Sequence, residues 1–309
     1  MKVVQNILSY TSEKPTVLTI GTFDGVHLGH QKIIERLTKT SESEGLESVI
    51  LTFFPHPRMV LQQNSDIKLL NTIQEKIELL ERLNLHTLII HPFDKTFSEL
   101  SAEEFVQKIL LEKLNLRKIV IGYDHRFGKN RTAGIHELIE FGQKYSFEVE
   151  QISAQEIDEV SVSSTKIRKA LEEGNIALAT SYLGYPYYFS ASVEEGKKLG
   201  RTIGFPTANL KVSEDYKLIP KTGVYIVEAD LEGQQLRGMM NIGFNPTVGG
   251  EHQTLEVHLL DFDQDIYGKS LKISFLERIR EEKKFASLDE LKAQLHQDKQ
   301  TASDFFKIS

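Results

Sequence analysis

The sequence predicts an α/β domain built on a doubly wound parallel sheet, followed by a small β barrel that ends in a helix. Three observations carry that expectation. Up to about residue 183, continuously apolar strands alternate with capped helical segments. From about residue 184, short alternating strands are broken by glycine and proline, and one helical pattern then closes the chain. A length of 309 residues suits two domains, and the expected division is 1–183 and 184–309.

The strands of the first half are "PTVLTIG" (Pro15–Gly21), "ESVILTFF" (Glu47–Phe54), "HTLIIH" (His86–His91) and "RKIVIG" (Arg117–Gly122). They are too uniformly apolar to leave one face wet, which is the pattern of a parallel sheet covered on both sides. Between them, Thr72 and Glu75 form a capping box ahead of Ile73, Ile77, Leu80 and Leu83 at helical spacing. Ser101 and Glu104 repeat the box ahead of Phe105, Ile109 and Leu110. Ligands of such folds sit beyond the carboxyl ends of the strands. In the second half, "GVYIVEADL", "QQLRGMMNIG", "TLEVHLLDF" and "KSLKISFLERI" follow one another at the close spacing of a barrel or sandwich. The helical tail "SLDELKAQLHQD" (Ser287–Asp298) opens on a third capping box, Ser287 with Glu290.

Composition narrows the function classes. Hydrophobic residues make up 40% and charged residues 26%, as in ordinary globular proteins, and a net charge of −7 argues against general nucleic-acid binding. The absence of cysteine excludes disulfides and thiolate chemistry. The N-terminal stretch "MKVVQNILSYTSEKP" lacks the apolar core of a signal peptide, and no apolar run approaches the roughly 18 residues of a membrane span. A cytoplasmic protein acting on small molecules, without membrane or nucleic-acid partners, is therefore expected. Neither GxxxxGK[ST] nor GxGxxG occurs.

Two segments of the first half concentrate polar chemistry. In "GTFDGVHLGH" (Gly21–His30) an apolar strand gives way to a turn loosened by Gly21, Gly25 and Gly29, and helical spacing begins at about Gly29. His27 and His30 thus stand near a helix N-terminus, where free N–H groups attract anions. Taken alone, the pair describes incidental turn residues, phosphate donors, or a metal site that lacks a third ligand. In "SVSSTKIRKAL" (Ser161–Leu171) three hydroxyls precede Lys166 and Arg168 at another helix start. Cations in a first turn oppose the helix dipole; taken alone, the segment describes a capped helix with solvated cations, or a phosphate held between them and the helix end that resolves the conflict.

The second half has its own dense motif, "GRTIGFPTANL" (Gly200–Leu210). Thr207 and Asn209, two apart in extended chain after Pro206, point the same way; taken alone they describe a turn on the barrel surface, or hard oxygens suited to Mg²⁺ shared with phosphates. In "TLEVHLLDF" (Thr254–Phe262), Leu255, Val257 and Leu259 share one strand face while Glu256 and His258 share the other. That second face reads as solvated, but beside a phosphate-bearing pocket Glu256 would take the proton of an attacking hydroxyl.

Together, "GTFDGVHLGH", "TFFPHP" (Thr52–Pro57), "GYDHRFG" (Gly122–Gly128) and "SSTKIR" (Ser163–Arg168) resemble the adenylyltransferase module of the bifunctional bacterial riboflavin kinase/FAD synthetases, of the HxGH nucleotidyltransferase type. The resemblance implies that His27 and His30 hold the ATP phosphates and stabilise charge developing in adenylyl transfer. It implies further ATP contacts at Gly21, Phe23, Asp24 and Gly29, a grip on the β and γ phosphates by Ser164, Thr165, Lys166 and Arg168, and a flavin side near His56, Asp124 and Arg126. "GRTIGFPTAN", "GVY", "NIGFNPT", "LEVHLLDF" and "ERIREEKKFASLDELKAQLHQD" resemble the riboflavin kinase module of the same enzymes, a six-stranded barrel. That likeness implies ATP contacts at Gly200, Arg201, Gly204 and Pro206, Mg²⁺ at Thr207 and Asn209, and Glu256 as base towards the riboflavin 5′-hydroxyl. Arg278 or Arg280 would help hold the flavin. The expected activities are phosphorylation of riboflavin by ATP to FMN, then adenylylation of FMN by ATP to FAD and pyrophosphate.

Overall fold

The computed structural model describes residues 1–62, 65–123, 125–153, 162–196, 199–247 and 250–308. Asp124 lies outside the described residues, as does the side chain of Arg201. The chain forms two compact units, Met1–Ser164 and Thr165–Ser309.

The first unit is built on a six-stranded sheet of β1 (Lys2–Val4), β2 (Thr16–Ile20), β3 (Glu47–Phe54), β4 (Thr87–Pro92), β5 (Leu116–Gly122) and β6 (Glu148–Ile152). Their order is β1-β4-β3-β2-β5-β6, and every pairing is parallel. All five residues of β2 are buried, as continuous apolar strands demand. Burying a side chain such as Leu18 contributes about 1.5–3 kcal/mol. From β2 the chain runs outward through β3 and β4, then returns to place β5 on the other side of β2. That reversal puts a crevice at the carboxyl ends of β2 and β5, where open α/β sheets bind ligands. The turn after Ile20 and the loop after Gly122 both open there.

Helix α1 (Leu28–Glu44) follows β2, α2 (Pro57–Leu61) follows β3, and α3 (Ile73–Glu81) precedes β4. Both expected capping boxes form, with Thr72 and Glu75 exchanging bonds and Ser101 and Glu104 doing the same. Two local differences have physical causes. After a single α turn at Ala102–Phe105 the segment Val106–Leu111 widens to a π-helix, which buries Val106, Ile109 and Leu110 together. In α3 the inward face carries Glu75, Lys76, Leu79 and Leu80, while Ile73 and Ile77 are only half-buried.

The second unit is a closed barrel in the order β10-β11-β8-β7-β12-β9, entirely antiparallel, so no strand edge is left open. Its strands are β7 (Tyr188–Glu194), β8 (Ala208–Lys211), β9 (Gly223–Leu231), β10 (Gln234–Thr247), β11 (Gly250–Leu259) and β12 (Ser270–Arg280). The closing helix, Leu288–Ile308, packs Ala302 and Phe306 against Phe205, Ile226 and Met239. An ion pair fixes it further: Arg280 donates from Nε and Nη2 to the buried Asp298 carboxylate at 2.7–3.1 Å. The helix Ser164–Glu173 begins on the last residue of the first unit and buries Ile167, Ala170 and Leu171.

Candidate active sites

The first site grows from the turn between β2 and α1. Phe23 (φ 47°), Gly25 (φ 87°) and Val26 (φ 36°) all occupy the left-handed region, which is costly for the two residues that carry a β-carbon. The strained turn delivers His27 as the N-cap of α1, one residue earlier than the spacing suggests, with its Nδ1 accepting from the His30 N–H at 3.3 Å. A neutral imidazole that accepts at Nδ1 carries its proton on Nε2, so the cap fixes the tautomer. The two rings stack with centroids 3.6 Å apart, and Phe23 flanks His30 at 5.0 Å. Gly29 makes the stacking possible, because an added Cβ would lie 3.3 Å from the His27 ring and 3.4 Å from Val162.

Burial governs the protonation of both rings. Desolvation pulls His27 down to about 4, only partly offset by the Asp24 carboxylate. His30 falls well below the usual histidine range, first through burial and then through the nearby His27 and Lys76, and its buried Nδ1 has no hydrogen-bond partner. Both imidazoles are therefore neutral donors at pH 7. Asp24 is buried and its Oδ1 accepts from the N–H groups of Leu70 and, more distantly, Asn71.

One other sequence candidate meets this turn. The Ser164 hydroxyl donates to the Asp24 carbonyl at 2.8 Å, tying the start of the second basic helix to the glycine turn. Thr165 and Lys166 follow exposed in that helix, and Arg168 half-buried. Of the residues expected towards the flavin, His56 caps α2 by accepting from the Arg58 N–H at 3.1 Å, and the exposed Arg126 stands within electrostatic reach of Glu137. His125 stacks on Phe127 at 6.0 Å.

The second site lies on adjacent barrel strands. Glu256 of β11 is paired in register with Asn209 of β8 on one side and Asn241 of β10 on the other. Thr207 donates its hydroxyl to Glu256 Oε2 at 3.2 Å. Gly196 makes room for Asn209, since an added Cβ would fall 1.9 Å from the amide Nδ2. Ahead of these residues the loop folds over Gly200, whose carbonyl accepts from Ile203 N–H and Phe205 N–H. An added Cβ at Gly200 would meet the Phe205 carbonyl at 2.2 Å, and Gly204 takes φ +85°. A cleft of about 340 Å³ opens beside Thr207, lined by Val193, Pro206, Val257, Leu259 and Tyr267 among others.

Sequence patterning missed two features here. His258 is buried rather than solvated with Glu256, because its Nδ1 bonds the Pro206 carbonyl at 2.7 Å and its ring meets Phe205. Lys76, buried beneath the first site, reads in the sequence as one more solvated lysine on a helix. Of the two arginines, Arg280 is committed to Asp298. Arg278 donates from Nη2 to the Thr222 carbonyl and leaves its buried Nε without a partner.

A family model described as FAD synthetase matches residues 9–166, and one described as riboflavin kinase matches residues 183–306. The chain is 38% identical over 312 residues to the Escherichia coli K12 protein named bifunctional riboflavin kinase/FMN adenylyltransferase, covering 100% of this chain and 99% of that one. The Bacillus subtilis protein of the same name is 38% identical over 297 residues, covering 94% and 92%. A crystal structure from Streptococcus pneumoniae, described as a macrolide-efflux protein, is similar with a TM-score of 0.88 and 31% identity over 97% of this chain and 98% of that one. That description names efflux, whereas no helix among the described residues here is long and apolar enough to cross a membrane. Both families' matches, in tandem and at full length, lead to one conclusion: the chain belongs to the bifunctional riboflavin kinase/FMN adenylyltransferases.

Proposed function

We propose that the two activities of the family are divided between the two phosphate-directed sites, with residues 1–183 adenylylating FMN and residues 184–309 phosphorylating riboflavin. The observation that carries this reading is the hydrogen-bonded Thr207–Glu256 pair beside Asn209, in a unit separate from the stacked histidines.

In the barrel, the riboflavin 5′-hydroxyl oxygen forms a bond to the γ-phosphorus of ATP while the bond to the β-phosphate oxygen breaks. ADP leaves with the electron pair, and Glu256 takes the hydroxyl proton. The Thr207 hydroxyl and the Asn209 carbonyl form a sparse set of hard oxygens that fits Mg²⁺ accompanying phosphates. When bound there, the cation offsets phosphate charge. The loop Gly200–Pro206, with Arg201, Gly204 and the cleft beside Thr207, accommodates the nucleotide.

In residues 1–183, an FMN phosphate oxygen bonds to the α-phosphorus of ATP while the bond from that phosphorus to the β-phosphate oxygen breaks, and pyrophosphate departs. The attacking group is already an anion, so no base is needed, and catalysis rests on positioning and charge stabilisation. His27 and His30 donate N–H groups to the phosphates, with Gly21, Phe23, Asp24 and Gly29 shaping the turn. Ser164, Thr165, Lys166 and Arg168 hold the β and γ phosphates, and His56, Asp124 and Arg126 lie towards the flavin. The reactants and products of the two reactions are riboflavin, FMN, FAD, ATP, ADP and pyrophosphate, which fits a cytoplasmic enzyme with small-molecule partners. Incubation of the protein with riboflavin and Mg²⁺·ATP, with flavins and pyrophosphate resolved over time, should yield FMN and then FAD. Formation of neither flavin nucleotide refutes the proposal.

A further inference from the structure

Beneath the Gly21–His30 turn lies a cation that no motif announces. Lys76 is 4% exposed on the inward face of α3, and its Nζ donates to the Thr22 carbonyl at 2.7 Å. The same carbonyl accepts from the Thr52 hydroxyl at 3.2 Å. Among the described residues, Asp24 favours the ammonium's charge, and His30 is the imidazole whose protonation it opposes. On its own helix, Glu75 is turned to the Thr72 N–H in the capping box. Taking an ammonium out of water costs several kcal/mol even after relaxation, so this position is retained against a penalty. Burial brings the lysine down to about 8.

We propose that Lys76 is a positioning residue for FMN adenylylation, holding the Thr22–Asp24 backbone in its turn and setting a fixed positive charge below it where phosphates arrive. The inference rests on the reading of this turn as the adenylyl-transfer site. Bound phosphates draw protons onto nearby imidazoles. A fixed cation below the turn counters that pull and supplies positive potential that does not depend on histidine protonation. Preorganised charge of this kind needs no rearrangement as the transition state forms.

The test uses the full chain and the variants Lys76→Met and Lys76→Arg, with kcat/KM for FMN adenylylation followed from pH 6 to 9.5. Riboflavin phosphorylation in the same samples reports on folding, and ¹⁵N imidazole shifts report the titration of His30 without turnover. In the unsubstituted protein, adenylylation should decline as pH rises through about 8, where Lys76 loses its proton. Lys76→Met should lower kcat on the order of 10- to 100-fold, as supporting residues of active sites do. It should also abolish the limb near pH 8 and raise the pH at which His30 titrates. Lys76→Arg, charged throughout, should recover much of the rate and displace the limb beyond the range. An unchanged rate or limb in Lys76→Met, an unmoved His30, or an arginine variant as damaged as the methionine one overturns the inference. Absence of FAD formation from FMN in the unsubstituted protein at every pH instead refutes the reading of the site, while the His30 titration still tests the coupling to Lys76.

Discussion

On the proposed reading, the two sites handle the same triphosphate with different materials. The first is made of neutral imidazoles, strained backbone and helix ends, and the Asp24 carboxylate of its turn faces the amides of Leu70 and Asn71. The second is made of a hydroxyl, an amide and a carboxylate lined up on barrel strands. The difference follows the chemistry of the nucleophile. A phosphate monoester arrives ionised and needs only to be placed and shielded, whereas an alcohol must lose a proton as it attacks. A carboxylate with a hydroxyl on it therefore belongs in one unit and would be superfluous in the other.

That contrast is most directly broken by exchanging single groups. Glu256→Gln removes the base and should lower FMN formation from riboflavin on the order of 10²- to 10⁴-fold, with FAD formation from supplied FMN unchanged. His30→Ala should do the reverse, lowering adenylylation on the order of 10²- to 10³-fold, so that FMN accumulates. If either substitution removed both activities in a folded protein, the division of labour would be wrong.

Subtler changes sharpen it. Gly196→Ala drives the Asn209 amide aside and should weaken kinase activity on the order of 10- to 100-fold, with a melting temperature close to the original. Gly29→Ala makes the tighter His27 contact give by a few tenths of an ångström, and adenylylation should fall roughly tenfold, about 1.4 kcal/mol of transition-state stabilisation. Both are read by steady-state kinetics of the two reactions in parallel.

The smallest effect is on stability against pH. His27 is held neutral down to about 4 in the folded chain but titrates near 6.5 when unfolded. The unfolded state thus binds the extra proton first, and stability falls as pH drops from about 6.5 towards 4. Thermal melts in this range should show a shallower decline in His27→Asn. An identical decline would show that other groups dominate.

The parts of the molecule visible in the sequence are those where pattern and burial coincide. Val17–Ile20 and Val49–Phe53 read as central strands because no polar face interrupts them. The edge strands were not legible: β1 spans only Lys2–Val4, and in β6 only Ile152 is buried. Helix α3 illustrates the limit most plainly. Its apolar spacing pointed to Ile73 and Ile77, yet the chain turns Glu75 and Lys76 inward because a capping box and the Thr22 carbonyl await them. Polar groups buried for a tertiary partner give no periodic signal, and His258 under Pro206 was hidden for the same reason. The motifs around His27, Thr207 and Glu256 were legible because they combine glycine turns with unusual polar density.

The central claim is that one chain holds two independent phosphorus-transfer sites. Its most direct test is the flavin product of Glu256→Gln supplied in parallel with riboflavin or FMN, each with Mg²⁺·ATP. FAD from FMN at the original rate, with almost no product from riboflavin, is the predicted result. FAD from both substrates, or from neither in a folded protein, would contradict it.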